Sequence, residues 1–355
     1  MQFLKPIMDI RLSNDIKFNC DVSDAQFWGY FSVCGLLMRY RDLFRSEKGL
    51  EPWTEINREE ILSWISSKEA RWPELEEKGL RNLTIGENTY GPFDVVEINH
   101  ALKDQALVYG AGYGMYMKPT FFLAELRSLT EVSGLTVYTS GTEFIRDLFT
   151  APGMLQEKSI YLRLEPLTML LLYKASELNA GRVSALEDAF AQYGIQRRQI
   201  IDEAFEKRLA EMAEQYSKML LSHEIAEALE EVPEWKDLLS LAGDRKVEHY
   251  LRAIKDLIAD TSDHGPYKRI VDSQDRGALS LTIALMEGYR RVIYPEMQKA
   301  YIEFSNNGDW SAIERSRREG YERFRSLRDA VVELYRISIG KDDFTGKMRE
   351  RLRTT

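Results

Sequence analysis

From Ser184 to about residue 339 the apolar side chains return every three or four positions, in four long stretches. No other feature constrains the fold as strongly, because a sustained 3.6-residue period commits a segment to amphipathic helix. The stretches cover about 184–230, with a break near Gly194; about 234–259, interrupted at Gly243; about 266–304, opening on Pro266; and about 310–339. Ser184 with Glu187 three positions on makes a capping box for the first. In the last, Ile313, Tyr321, Phe324, Leu327, Val331, Leu334 and Tyr335 fall on one side. Four such helices with short connections bury their apolar sides against one another, so the spacing predicts an antiparallel long-helix bundle. Gly277, Ala284 and Gly288 lie on adjacent turns of the third stretch, where small side chains would let a neighbouring helix come close.

Residues 1–180 have a different texture, with more Gly, Pro and aromatic residues and shorter apolar runs. Ser23 with Gln26 forms a capping box, and Gly49 is a stop, so a helix is expected over about 24–47. Its stripe is Phe27, Tyr30, Phe31, Cys34, Leu37 and Met38, and Arg41 and Arg45 continue it. A second helix, about 58–68, opens at Asn57, and residues 82–93 read as a short hairpin with its turn near Asn88. Helices are expected at about 94–109, on the stripe Val95, Ile98, Leu102, Ala106 and Tyr109, and at about 119–131, opened by Pro119. Leu135–Thr139 and Ser159–Leu164 read as strands of a small sheet. The expected fold is therefore mainly α: an N-terminal helical domain with a small β element over 1–180 and the bundle over 181–355. The boundary falls near Asn179, Ala180 and Gly181.

Charge and composition exclude several classes. The 355 residues carry a formal net charge of −9, which argues against a nucleic-acid binder or a polybasic membrane binder. The Arg-rich tail from Arg315 to Arg353 has acids interleaved at helical spacing. Two cysteines, Cys20 and Cys34, are too few for a disulfide framework. No apolar run reaches the length of a membrane span, and the N-terminus has no apolar leader, so a cytoplasmic protein is expected.

Candidate chemistry gathers at four places. The first is the glycine-rich segment from Tyr109 to Pro119, containing Gly110, Gly112, Tyr113, Gly114 and Lys118. Alternating glycines let backbone N–H groups converge on an anion; the helix expected after Pro119 would add its positive end, and Lys118 a full charge. Against this, the segment is neither a dinucleotide fingerprint nor a Walker loop, and its glycines would equally serve a helix-to-helix connection. The second is Cys20–Asp21, placed just before the first expected helix, where a thiol is activated by the helix N-terminus but opposed by Asp21 and Asp24. The third is Arg41 with Arg45: either the helix leaves the core there, or the guanidiniums are buried and need an acid or an anionic ligand. Residues 47–53 would supply such acids.

The fourth is His223 with Glu227, four residues apart at the end of the stripe Phe205, Leu209, Met212, Tyr216, Met219 and Leu220. Those two residues are candidate metal ligands, and His223 is also a candidate acid–base group. The ferritin-like arrangement fails, since the one Glu-x-x-His, Glu97 to His100, lies elsewhere and with Asp104 faces away from its helix's apolar stripe. His249 reads as surface and His264 as a turn residue. No complete catalytic constellation occurs, and no cofactor is indicated. Two expectations follow: an interaction protein whose long helices face a protein partner or a second copy, or an enzyme or sensor holding a small anionic ligand at 110–118.

Overall fold

The computed structural model describes residues 9–51, 54–178, 184–199, 201–241, 243–338 and 340–353. It divides into two compact units, Met1–Met169 and Leu170–Thr355. The fold is mostly helical, with a five-stranded curled half-barrel sheet in the first unit and a helical second unit. The boundary expected at 179–181 lies outside the described residues. Among the described residues, no helix is long and apolar enough to cross a membrane.

In the first unit, α1 (Ile10–Phe27) is capped by Asp9, which accepts the Arg11 N–H, and α2 (Val33–Lys48) by Ser32, which accepts the Gly35 N–H. One 3-10 turn, Trp28–Tyr30, separates them. The single helix expected at 24–47 is thus two, because Asp9 and Ser32 offer the caps and Gly29 lies in the turn between. Ser23 is buried inside α1 instead of capping a helix. Gly49 does stop α2, at φ 61°. α3 (Arg58–Glu69) starts as expected at Asn57, whose side chain accepts the N–H groups of Glu59 and Glu60. After α4 (Trp72–Leu75) comes the expected hairpin, β1 (Leu83–Ile85) with β2 (Asn88–Tyr90), but its turn lies at Gly86, at φ 60°, and Asn88 is already a strand residue paired with Ile85.

The sheet is larger than the small β element expected in a helical domain. α5 (Val95–Leu102) is short, Ala106 turns the chain at φ 52°, and β3 (Leu107–Tyr113) takes over within the helix expected to reach 109. Residues expected as helix from 119 form β4 (Pro119–Val132). Pro119 starts a strand, where its missing N–H costs no ladder bond. β5 (Leu135–Arg146), β6 (Gly153–Gln156) and β7 (Ser159–Arg163) complete the order β3-β4-β5-β7-β6, with only β5 and β7 parallel. Successive β4 side chains serve both faces of the sheet. Phe121 and Leu123 pack with Leu12, Ile16 and Cys20 of α1, while Phe122 and Ala124 pack with Met154 and Tyr161. That two-sided burial makes 121–124 a continuous apolar run, which sequence periodicity alone does not separate from buried helix. α6 (Leu164–Leu178) follows directly.

The second unit holds α7 (Ser184–Gln192), α8 (Glu203–Leu229), α9 (Glu234–Leu241) and α10 (Arg245–Thr261), with Gly194 and Gly243 at positive φ in the expected breaks. The stretch 266–304 is not one helix. It is α11 (Pro266–Ser273), α12 (Arg276–Ala284), α13 (Gly288–Ile293) and α14 (Pro295–Asn307). Gln274 turns left-handed at φ 51°, Asp275 caps α12 through the Ala278 N–H, and Pro295 opens α14. Gly277 and Ala284 therefore lie on α12 without Gly288, which starts α13; Gly277 faces Gln192 of α7. α15 (Trp310–Arg336) is the expected last long helix, and α16 (Gly340–Arg353) follows. α10 packs against α15, α8, α13 and α11, and its stripe Val247, Leu251, Ile254 and Ile258 is buried.

Candidate functional site

α8 and α10 bring together a cluster of buried and half-buried charges in the second unit. Asp202 caps α8 by accepting the Phe205 N–H at 2.8 Å, and the apolar stripe runs from Phe205 to Met219. Past Met219 the same side carries His223, Glu224 and Glu227. α10 faces it with Lys255, Asp256 and Asp260, and α13 adds Arg290. His223 Nδ1 lies 2.7 Å from Asp260 Oδ1, and its Nε2 faces Glu227 Oε2 at 3.6 Å. Lys255 pairs with the other Glu227 oxygen. Arg290 stands 3.9 Å from Asp256 and 3.8 Å from Asp260.

The electrostatics follow from burial and neighbours. Burial alone pulls the His223 imidazolium down, but the Asp260 carboxylate and the hydrogen bonds to Asp260 and Glu227 outweigh it, so its pKa stands well above the ordinary value. Burial raises Glu227, yet Lys255 and His223 bring it down to about 2. Glu224 goes the other way: burial first, then the Glu227 charge, push it up to about 8. Burial also raises Asp256, against the pull of Arg290. The Tyr267 hydroxyl of α11 is buried with no hydrogen-bond partner among the described residues.

One ligand atom each from His223, Glu227 and Asp256 lies within 4.8 Å of the others. The pairing of His223 with Glu227 was legible from their four-residue spacing. Asp256 and Asp260 were missed, since nothing local says which helix faces α8. The signal they offered was an acid pair four apart beside the α10 apolar stripe.

The other sequence candidates lie elsewhere. Cys20 and Asp21 sit inside α1, not before it. The Cys20 thiol is buried and donates to the Phe121 carbonyl at 3.4 Å, and burial, then Asp147, Asp24 and Asp21, hold its pKa well above the usual thiol value. That opposes thiolate chemistry. Asp21 pairs with Lys68 at 2.9 Å and Arg71 at 3.3 Å. Arg41 is exposed on α2, while Arg45 is buried and donates to the Thr54 carbonyl at 3.3 Å. Of the acids expected at 47–53, Glu47 pairs with Lys17 and Lys68; Pro52 and Trp53 lie outside the described residues.

The glycine-rich segment lacks the geometry expected of it. Gly110 and Gly112 are ladder residues of β3, paired with Phe122 and Thr120. The Phe122 ring covers Gly110, the Gln156 side chain covers Gly112, and Phe149 lies against Gly114. Tyr113 is partly exposed and stacks on Phe93. No helix follows, so no helix end aims at the segment. Lys118 is buried, 3.1 Å from both Asp24 and Asp147, and donates to Ser23 at 2.7 Å. A second buried network was not foreseen: Arg163 grips Glu143 at 2.6 and 2.9 Å, Arg146 stands 3.6 Å from Glu143, and Glu165 accepts the Glu143 N–H at 2.8 Å. His100, His249 and His264 are exposed.

Comparison with known families matches residues 11–163 to the N-terminal domain, and residues 168–353 to the C-terminal domain, of a family of unknown function (DUF6866). No curated protein and no solved structure matches. With both domains matched in order along its length, the chain belongs to the DUF6866 family.

Proposed function

We propose that this is an interaction protein, and that it presents the outer side of α2 to a second copy of the same chain. One observation carries the reading: the stripe Cys34, Leu37 and Met38, with Val33 beside it, points outward and is exposed. Leu37 and Met38 are about half exposed and Val33 is 77% exposed. Trp28 and Tyr30 extend the apolar surface at its N-terminal end, and Arg41 closes the other end. A contiguous apolar face on a folded surface marks an interaction site.

The charges favour a second copy as the occupant. The chain carries a net charge of −9, yet this face has no acidic side chain, so two copies meet here without repulsion. Antiparallel pairing of two α2 helices about a two-fold axis sets Arg41 of each against the aromatic end of the other, a cation–π arrangement. Val33 and Arg41 are roughly 12 Å apart along the axis, a span that two antiparallel helices match. A free, exposed thiol at Cys34 suits a reducing compartment, which supports the cytoplasmic reading.

Light scattering on the purified chain tests the proposal. A dimer is expected, and Leu37→Asp converts it to a monomer with unchanged melting temperature. Diamide is expected to link two copies through Cys34, and Cys34→Ser abolishes the link. A monomer at the highest soluble concentration overturns the proposal, as does a dimer indifferent to Leu37→Asp.

A further inference from the structure

We propose that His223, Glu227 and Asp256 bind one divalent transition-metal ion in the second unit, with Asp260 orienting the imidazole and Glu224 supplying further negative charge. The site is independent of the α2 face.

The geometry comes first. Ligand atoms held about 2.1 Å from one ion are at most about 4.2 Å apart. Those of His223, Glu227 and Asp256 lie within 4.8 Å of one another, so a contraction of roughly half an ångström closes the site. The imidazole is already set for the task. Asp260 Oδ1, 2.7 Å from Nδ1, keeps the proton on that nitrogen, and an ion at Nε2 takes the place of the proton that faces Glu227 in the metal-free chain. A carboxylate behind a histidine is the usual support of a metal-binding imidazole. The Glu227 oxygen nearest Nε2 is Oε2, whereas Lys255 holds Oε1, so the lysine and an ion do not compete for one atom.

Glu224 supplies an independent observation. It is 94% buried, and no hydrogen bond or ion pair of its carboxyl occurs among the described residues. It stands on α8 beside His223 and one turn from Glu227. One nitrogen and two carboxylate donors select zinc or a similar first-row ion over magnesium or calcium, which prefer oxygen alone.

Isothermal titration of the metal-free full chain with Zn²⁺ is the test, with Mg²⁺ as comparison. One equivalent of Zn²⁺ is expected to bind and to raise the melting temperature, with no such effect of Mg²⁺. Asp256→Asn, at a partly exposed position, keeps the fold by circular dichroism and loses the binding. Asp260→Asn weakens binding ~10–100-fold, as for other residues behind a ligand. His223→Asn abolishes it. Absence of a stoichiometric Zn²⁺ site overturns the proposal. So does equal binding by a folded Asp256→Asn protein, which would assign the ion to exposed His100, His249 or His264.

Discussion

Lys118 Nζ lies 3.1 Å from Asp147 Oδ2, and the two side chains are only 3% and 0% exposed. Asp24 approaches the same ammonium at 3.1 Å, so one cation serves two buried acids from α1 and the end of the sheet. Removing one partner of such a group strands the others: Lys118→Ala is expected to cost about 3–5 kcal/mol. Urea denaturation measures the loss, which is expected to be the same with and without phosphate. A phosphate-dependent loss would restore a ligand role to Lys118.

Glu165 gives a pH dependence with a defined sign. Burial, then the Glu143 charge, raise its carboxyl from the ordinary value to about 7. The folded chain therefore holds this proton more tightly than the unfolded one. The stabilisation it represents is fully present below about pH 4.5 and is lost as pH rises through 7. Glu165→Gln keeps an acceptor for the Glu143 N–H and removes the charge. Expected is little difference at pH 4 and a variant more stable by ~1–2 kcal/mol at pH 8, read from melting curves across that range. A difference independent of pH would show that the carboxyl does not titrate there.

Gly110 is expected to resist substitution for reasons of packing. A Cβ there would stand 2.1 Å from the Phe122 ring. That ring is fully buried, edge-on to Tyr161 and beneath Arg163, so it has nowhere to go. Gly110→Ala is expected to cost about 1–3 kcal/mol, whereas a ligand-cradling glycine would leave stability unchanged. Chemical denaturation separates the two.

Arg317 ties α15 to the end of α10. It is 2% exposed and donates to the Thr261 carbonyl at 2.6 Å, to both Glu314 oxygens at 2.7 and 2.9 Å, and to Asp263 at 2.9 Å. Arg317→Met leaves the last α10 carbonyl and Glu314 without it, at about 3–5 kcal/mol. Arg317→Lys is expected to recover only part of this, because one ammonium does not reproduce the planar fork. Full recovery in thermal melts would reduce the contact to simple charge.

Helix ends were legible where a residue acts on its own few neighbours, whatever the rest of the chain does: Gly49 and Asn57 in the first unit, and Gly194, Gly243 and Pro266 in the second. Local signals failed where two readings were locally equal. Ser23 and Gln26 make a sound capping box, yet Asp9 and Ser32 cap the helices that form. The Val95–Tyr109 stripe fits a helix, yet from Leu107 the backbone pairs with β4.

Amino-acid order alone decided that the second unit is helical, that strands lie at about 135–139 and 159–164, and that His223 and Glu227 pair four residues apart, since all of these depend on side chains within a few residues of one another. Tertiary structure alone decided that 119–132 is a strand, that the Cys34–Met38 stripe faces outward, that Lys118 is spent on Asp24 and Asp147, and that Asp256 and Asp260 meet His223. Each of these turns on partners in another element of the chain, or on which side of an element is covered. Such choices are settled by burying apolar area and satisfying backbone hydrogen bonds across the whole unit, and no window of sequence contains that balance.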